Sequence, residues 1–224
     1  MIARINDLEL YYERSGCGEA GRPLLMLHGN GEDHTIFDKA LPELTDRFDC
    51  YLIDSRGHGK STPVDEFHYE EMAADMVGFM ELLDLTDVVF YGFSDGGIIG
   101  LLAAGMSDRI SELIISGANT SPAGLKRRLL LEFRLKYLFH KEALTRLMLK
   151  EPNINDSYLK GIQARTLVLA GSKDLIRLHH TRHIADSIPR AELRILEGED
   201  HGSYIVHDSR IGNIIREWVA EEKD

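Results

Sequence analysis

Between the apolar run Val88-Val89-Phe90-Tyr91 and the stretch Gly97-Ile98-Ile99-Gly100-Leu101-Leu102 lies the pentapeptide Gly92-Phe93-Ser94-Asp95-Gly96. A serine on a sharp strand-to-helix turn is held in a strained backbone conformation, with its hydroxyl raised clear of the sheet. Glycines two residues to either side leave room for the crowded backbone and for close helix–strand packing. The helix that follows aims its first N–H groups at the same point, where they can stabilise developing negative charge. Such a turn needs a strand inside a sheet and a helix leaving that strand's carboxyl end.

The rest of the chain supplies both in alternation. Leu8–Arg14 alternates like a half-exposed strand and ends at Ser15-Gly16-Cys17-Gly18. Pro23–Leu27 is a short continuous apolar run, the signature of a strand covered on both faces. Phe48–Ile53, Val88–Tyr91, Leu113–Ser116, Thr166–Ala170 and Leu193–Leu196 repeat it, and helical periodicity occupies Thr35–Leu44, Tyr69–Leu83, Gly97–Met106, His179–Ser187 and His207–Ala220. This pattern predicts an α/β fold with a mostly parallel central sheet and helices on both faces. Leu8–Arg14 and Leu24–Leu27 are too close for a helical crossover, so the sheet is expected to begin antiparallel.

From Pro122 to Tyr158 the rhythm changes to helix alone, and the segment is basic. Its position after a strand end fits a short helical lid, residues 122–158, inserted into one domain whose core comprises 1–121 and 159–224. The length of 224 residues suits a single α/β domain.

Against 26 Lys and Arg stand 37 Asp and Glu, a net charge of −11. That acidity repels phosphate backbones and anionic membrane surfaces, so neither nucleic acid nor membrane is expected as a partner. The longest near-apolar stretch, Gly96–Met106, is too short to span a bilayer. The first residues lack a signal-peptide profile, and two cysteines, Cys17 and Cys50, make neither a disulfide framework nor a metal quartet. A reducing cytoplasm is the expected location.

Ser94 needs a base. Of ten histidines, His34, His68, His140, His179, His180, His183 and His207 sit in or beside helical stretches, where exposed or capping roles are the default. His201 instead follows the last strand in Glu197-Gly198-Glu199-Asp200-His201-Gly202, where an open α/β sheet places functional groups. Its imidazole needs an orienting carboxylate. Asp174, directly after the strand Thr166–Ala170, is the candidate, with a helix N-cap as its ordinary alternative role. Glu197, Glu199 and Asp200 are nearer in sequence but share the loop of His201. The order Ser94, Asp174, His201 is the one associated with this elbow. Oxyanion donors are expected at the backbone N–H of Asp95 and of Asn30, in the glycine-rich loop His28-Gly29-Asn30-Gly31. Asp54-Ser55-Arg56-Gly57-His58-Gly59-Lys60-Ser61 fits no phosphate-binding loop, and no dinucleotide fingerprint or metal-ligand spacing occurs, so no cofactor and no metal are expected.

Together, His28–Gly31, Asp54–Ser61, Gly92–Gly96, Gly171–Asp174 and Asp200-His201-Gly202 give a chain that resembles the α/β-hydrolase family over essentially its whole length. The resemblance implies a nucleophile at Ser94, an acid at Asp174, a base at His201, and oxyanion donors at Asn30 and Asp95. It also implies that Asp54–Ser61 is structural. A serine nucleophile argues against the aspartate-dependent dehalogenase and epoxide-hydrolase branches. The expected activity is cleavage of a small carboxylic ester or related acyl bond. A C–C bond hydrolase or a lactonase would use the same residues, and a non-catalytic or slow-turnover receptor for a small ligand is the alternative of another class.

Overall fold

In each central strand, side chains at successive positions enter opposite apolar layers, because a pleated strand alternates its faces. Leu25, Leu27, Phe90, Leu113 and Val168 pack on one side of the sheet, while Leu24, Met26, Val89, Tyr91, Ile114 and Leu167 pack on the other. The computed structural model describes residues 1–221. Its eight strands are β1 (Ile2–Ile5), β2 (Leu8–Gly16), β3 (Arg22–Leu27), β4 (Phe48–Ile53), β5 (Val88–Phe93), β6 (Ile110–Ser116), β7 (Arg165–Gly171) and β8 (Ala191–Leu196). They form one sheet in the order β1-β2-β4-β3-β5-β6-β7-β8. The β1–β2 and β2–β4 pairs are antiparallel and all others parallel.

Helices α1 (Tyr69–Leu82), α2 (Asp95–Met106) and α6 (Leu178–Ser187) contribute to the first layer, and α7 (Arg210–Ala220) to the second. Helix α2 is apolar nearly all round and buried along most of its length, as expected of a helix enclosed between sheet and neighbours. Between β6 and β7 lie α3 (Arg127–His140), α4 (Ala143–Lys150) and α5 (Asp156–Gly161), so α5 straddles the expected lid boundary at residue 158. Residues 222–224 of the expected core segment 159–224 lie outside the described residues.

Three local features differ from expectation. Strand β1 was not anticipated, because only Ala3 and Ile5 are buried in its four residues. It pairs with β2 through a two-residue turn, Asn6-Asp7, with Asn6 at φ +52°. Thr35–Leu44 is two short 3₁₀ turns, His34–Phe37 and Leu41–Glu43, rather than one helix. Pro42 lies inside that span, donates no N–H and breaks the ladder. His34 is buried at 4% exposure, because its Nδ1 and backbone N–H both bond the enclosed Asp54 carboxylate.

Candidate active site

Ser94 takes φ +53° between the end of β5 and the first residue of α2. Its N–H donates to Ser116 O at 2.8 Å, and its carbonyl accepts from Gly97 N at 3.0 Å and Ile98 N at 3.1 Å. The flanking glycines are required by close approach: a Cβ on Gly92 would meet Gly96 O at 2.2 Å, and one on Gly96 would meet Leu27 O at 2.2 Å. The turn is therefore wedged against β3, with its hydroxyl on the open side.

Two further side chains reach that hydroxyl from the carboxyl ends of other strands. His201 Nε2 lies 3.0 Å from Ser94 Oγ, and His201 Nδ1 lies 2.7 Å from Asp174 Oδ1. The carboxylate side chain is fully enclosed, while the imidazole is 18% exposed. A carboxylate at Nδ1 fixes the proton there and leaves Nε2 as acceptor for the serine O–H. Asp174 Oδ1 also accepts the N–H of Ile176 at 2.9 Å, which pins the strap after β7. That strap is bridged to Leu125. Gly117, at φ +64°, makes room for the ring, since a Cβ there would stand 2.6 Å from His201 Cε1.

The other acids of the histidine loop point elsewhere. Glu197 accepts from Ser172 Oγ at 3.2 Å. Glu199 bonds Ser203 Oγ and Arg210, and Asp200 accepts from the N–H groups of Gly202 and Ser203 at 3.0 and 2.9 Å. Those bonds hold both Glu199 and Asp200 below the usual carboxylate range. None of the three bonds the imidazole.

The loop after β3 has one donor to spare. Gly29 N–H donates to Glu32 Oε2 at 2.9 Å, Gly31 N–H to His58 Nε2 at 3.1 Å, and Glu32 N–H to Gly29 O at 3.4 Å. The Asn30 side chain donates to Asp95 Oδ2 at 2.8 Å, and Tyr69 Oη donates to Asp95 Oδ1 at 2.8 Å. The backbone N–H groups of Asn30 and Asp95 have no acceptor among the described residues. Both residues line, with Ser94 and His201, a cavity of about 310 Å³. Leu125, Ile176, Met148 of α4, and Leu129 and Phe133 of α3 give it an apolar part, and Lys136 of α3 and Glu151 line it as well. Two unbonded N–H groups beside a serine–imidazole–carboxylate chain can stabilise an oxyanion while the hydroxyl is deprotonated.

Sequence reading did not single out Glu32, His58 or Tyr69. Burial pushes the Glu32 carboxyl up from its ordinary value, against the Gly29 N–H that favours its charged form. Burial also raises Asp95, against its bonds to Asn30 and Tyr69. Glu32 directly follows the His28–Gly31 motif and His58 lies inside Asp54–Ser61, whereas Tyr69 carries no local signal. Asp33, His34 and Asp54 bring potential metal-ligating atoms within 4.8 Å of one another. Internal donors already occupy them: Asp54 accepts from His34 and from Lys60 N–H, and Asp33 from Thr35. The knot braces the loop and makes no case for an ion.

No helix among the described residues is long and apolar enough to cross a membrane. Over 96% of this chain and 84% of its own length, the mouse serine hydrolase BPHL is 26% identical. The 2-hydroxymuconate semialdehyde hydrolase of Pseudomonas sp. (strain CF600) is 26% identical over 90% of this chain and 88% of its own. Other curated relatives at 33–34% identity align over about half of this chain and about two fifths of their own length. Among solved structures, bromoperoxidase from Bacillus anthracis superposes with a TM-score of 0.85 at 18% identity, covering 99% of each chain. A family model described as the alpha/beta hydrolase fold matches residues 22–139. That match spans over half of the sequence, and with the sheet order and the elbow after β5 it makes the chain a member of the α/β-hydrolase family.

Proposed function

We propose that this protein is a serine hydrolase that cleaves a small carboxylic ester or related acyl bond through an acyl-enzyme on Ser94. The observation that carries the reading is the continuous hydrogen-bond chain from Ser94 Oγ to His201 to Asp174, at 3.0 and 2.7 Å, opening beside two unbonded N–H groups. As the hydroxyl attacks the carbonyl carbon, Nε2 of His201 takes its proton. Asp174 steadies the imidazolium, and the N–H groups of Asn30 and Asp95 receive the oxyanion. His201 then protonates the leaving oxygen. Water, deprotonated by the same imidazole, attacks the acyl carbon and frees Ser94. The two amides contribute roughly 3–4 kcal/mol each to the transition state. No step calls on a cofactor or metal. Helices α3 and α4 act as a short lid, whose apolar residues Leu129, Phe133 and Met148 receive the acyl group.

The test is covalent labelling. A fluorophosphonate probe is expected to label wild type and not Ser94→Ala, and labelling of the variant at the wild-type rate would overturn the assignment. A second reading, lactone or C–C bond hydrolysis with the same residues, takes support from the relative named as a 2-hydroxymuconate semialdehyde hydrolase. A panel of p-nitrophenyl esters, lactones and β-diketones separates the two, since turnover confined to diketones would favour the second. A small ligand bound with no burst and no steady state on any acyl compound would point to a receptor.

A further inference from the structure

Helix α3 has two working faces and no buried residue. Leu129, Phe133 and Lys136, at i, i+4 and i+7, line the cavity above Ser94. Facing outward at the same spacing are Leu131, Leu135 and Leu138, with Phe139 beside them, at 57, 50, 68 and 75% exposure. Arg127 and Arg134 lie on this side one turn from Leu131. With Arg177 they line an outer groove of about 500 Å³. None of these three guanidinium groups has an ion-pair or hydrogen-bond partner among the described residues, whereas Arg128 on the same helix pairs with Glu132 and Lys136 with Glu142. Residues 122–150 carry a net charge of +6 within a chain of −11.

We propose that this outer face of α3 docks on an anionic lipid surface. Lipid phosphates pair with Arg127, Arg134 and Arg177, while Leu131, Leu135, Leu138 and Phe139 enter the acyl boundary. Charge selects this occupant over a second copy of the chain. A two-fold dimer through one face sets each arginine against the same cluster in its partner, and that repulsion is absent at a phosphate-bearing surface. The overall acidity, which predicts repulsion from membranes for the molecule as a whole, then orients the protein by turning its other faces away. The cavity lies directly behind the docked face.

The test is co-sedimentation of the full chain with vesicles of phosphatidylcholine alone and of phosphatidylcholine mixed with phosphatidylglycerol, at low and high salt. Wild type is expected to bind only the mixed vesicles and to be released by salt. The combined Arg127→Gln, Arg134→Gln and Arg177→Gln variant is expected to bind them roughly a hundredfold more weakly. Leu138→Gln with Phe139→Ser is expected to weaken binding without altering its salt dependence. Circular dichroism and melting temperature verify that both variants fold. Absence of binding to mixed vesicles, equal binding to both compositions, or binding unchanged in the arginine variant overturns the proposal. So does a wild-type dimer in sedimentation that the Leu138 and Phe139 variant converts to monomer, because a second copy then covers the face.

Discussion

His58 Nε2 accepts the N–H of Gly31 at 3.1 Å, across the gap between the turn after β4 and the loop after β3. The ring's other nitrogen lies 2.9 Å from Arg56 O, so the proton sits on Nδ1 and Nε2 is the acceptor. This bond and that from Gly29 to Glu32 engage the N–H groups on either side of Asn30, whose own amide is the one that the proposed reaction assigns to a substrate oxygen. His58→Phe keeps a ring of similar breadth and strands the Gly31 donor. We expect kcat/KM to fall by roughly ten- to a hundredfold through kcat, with KM nearly constant. Steady-state kinetics on a soluble ester measure it, and an effect confined to KM would contradict the loop's role.

Asp174→Asn preserves shape and removes the charge that fixes the His201 tautomer. We expect kcat to fall by about three to four orders of magnitude while the melting temperature moves little. Single-turnover kinetics locate the loss in acylation.

Gly117 tests how finely the ring is placed. A methyl group there enters the space of His201 Cε1, and φ +64° disfavours any side chain. Gly117→Ala is expected to displace the imidazole and lower kcat by about a hundredfold. Wild-type turnover in this variant would show that the ring has slack.

His28 predicts an acid limb in stability. It is buried, its Nδ1 donates to Gly29 O and its Nε2 accepts from Ser55 N–H. Burial lowers its pKa from 6.5 to about 4, opposed by the bond to Gly29. Between those values the unfolded chain takes up a proton that the folded chain refuses. Stability therefore falls as pH drops from 6.5 towards 4 and levels off below, by about 3 kcal/mol for this group. Urea midpoints across that range measure the slope. His28→Gln should flatten it, leaving the part due to His180, which burial also lowers to about 4.

What could be read without coordinates follows from how local each signal is. Ser94, Asp174 and His201 each stand just past an apolar run, so strand ends alone single them out as candidates. Glycines at 92 and 96 mark the close approach around the elbow for the same reason. Glu32 and His58 were hidden because their partners, Gly29 and Gly31, are backbone groups with no side chain to advertise them. Tyr69 meets Asp95 across 26 positions, a contact made only by the packing of α1 on α2. His34 resembled a surface histidine until Asp54, 20 residues away, enclosed it. The apolar spacing of Thr35–Leu44 is helical, and it does not register that Pro42 inside it has no N–H to donate.

The sharing of Asp174 Oδ1 between the His201 ring and the Ile176 amide has a bearing on protein engineering. Ile176 is also part of the cavity wall and is bridged to Leu125. If the proposed acyl transfer holds, reshaping that wall to admit bulkier acyl chains is expected to disturb the His201–Asp174 pair, so gains in scope there would arrive coupled to losses in turnover. Phe133 and Met148 border the same space from helices that make no bond to Ser94, His201 or Asp174 among the described residues. Under the proposed function, libraries confined to those two positions are expected to vary chain-length preference with the Ser94–His201–Asp174 bonds left in place.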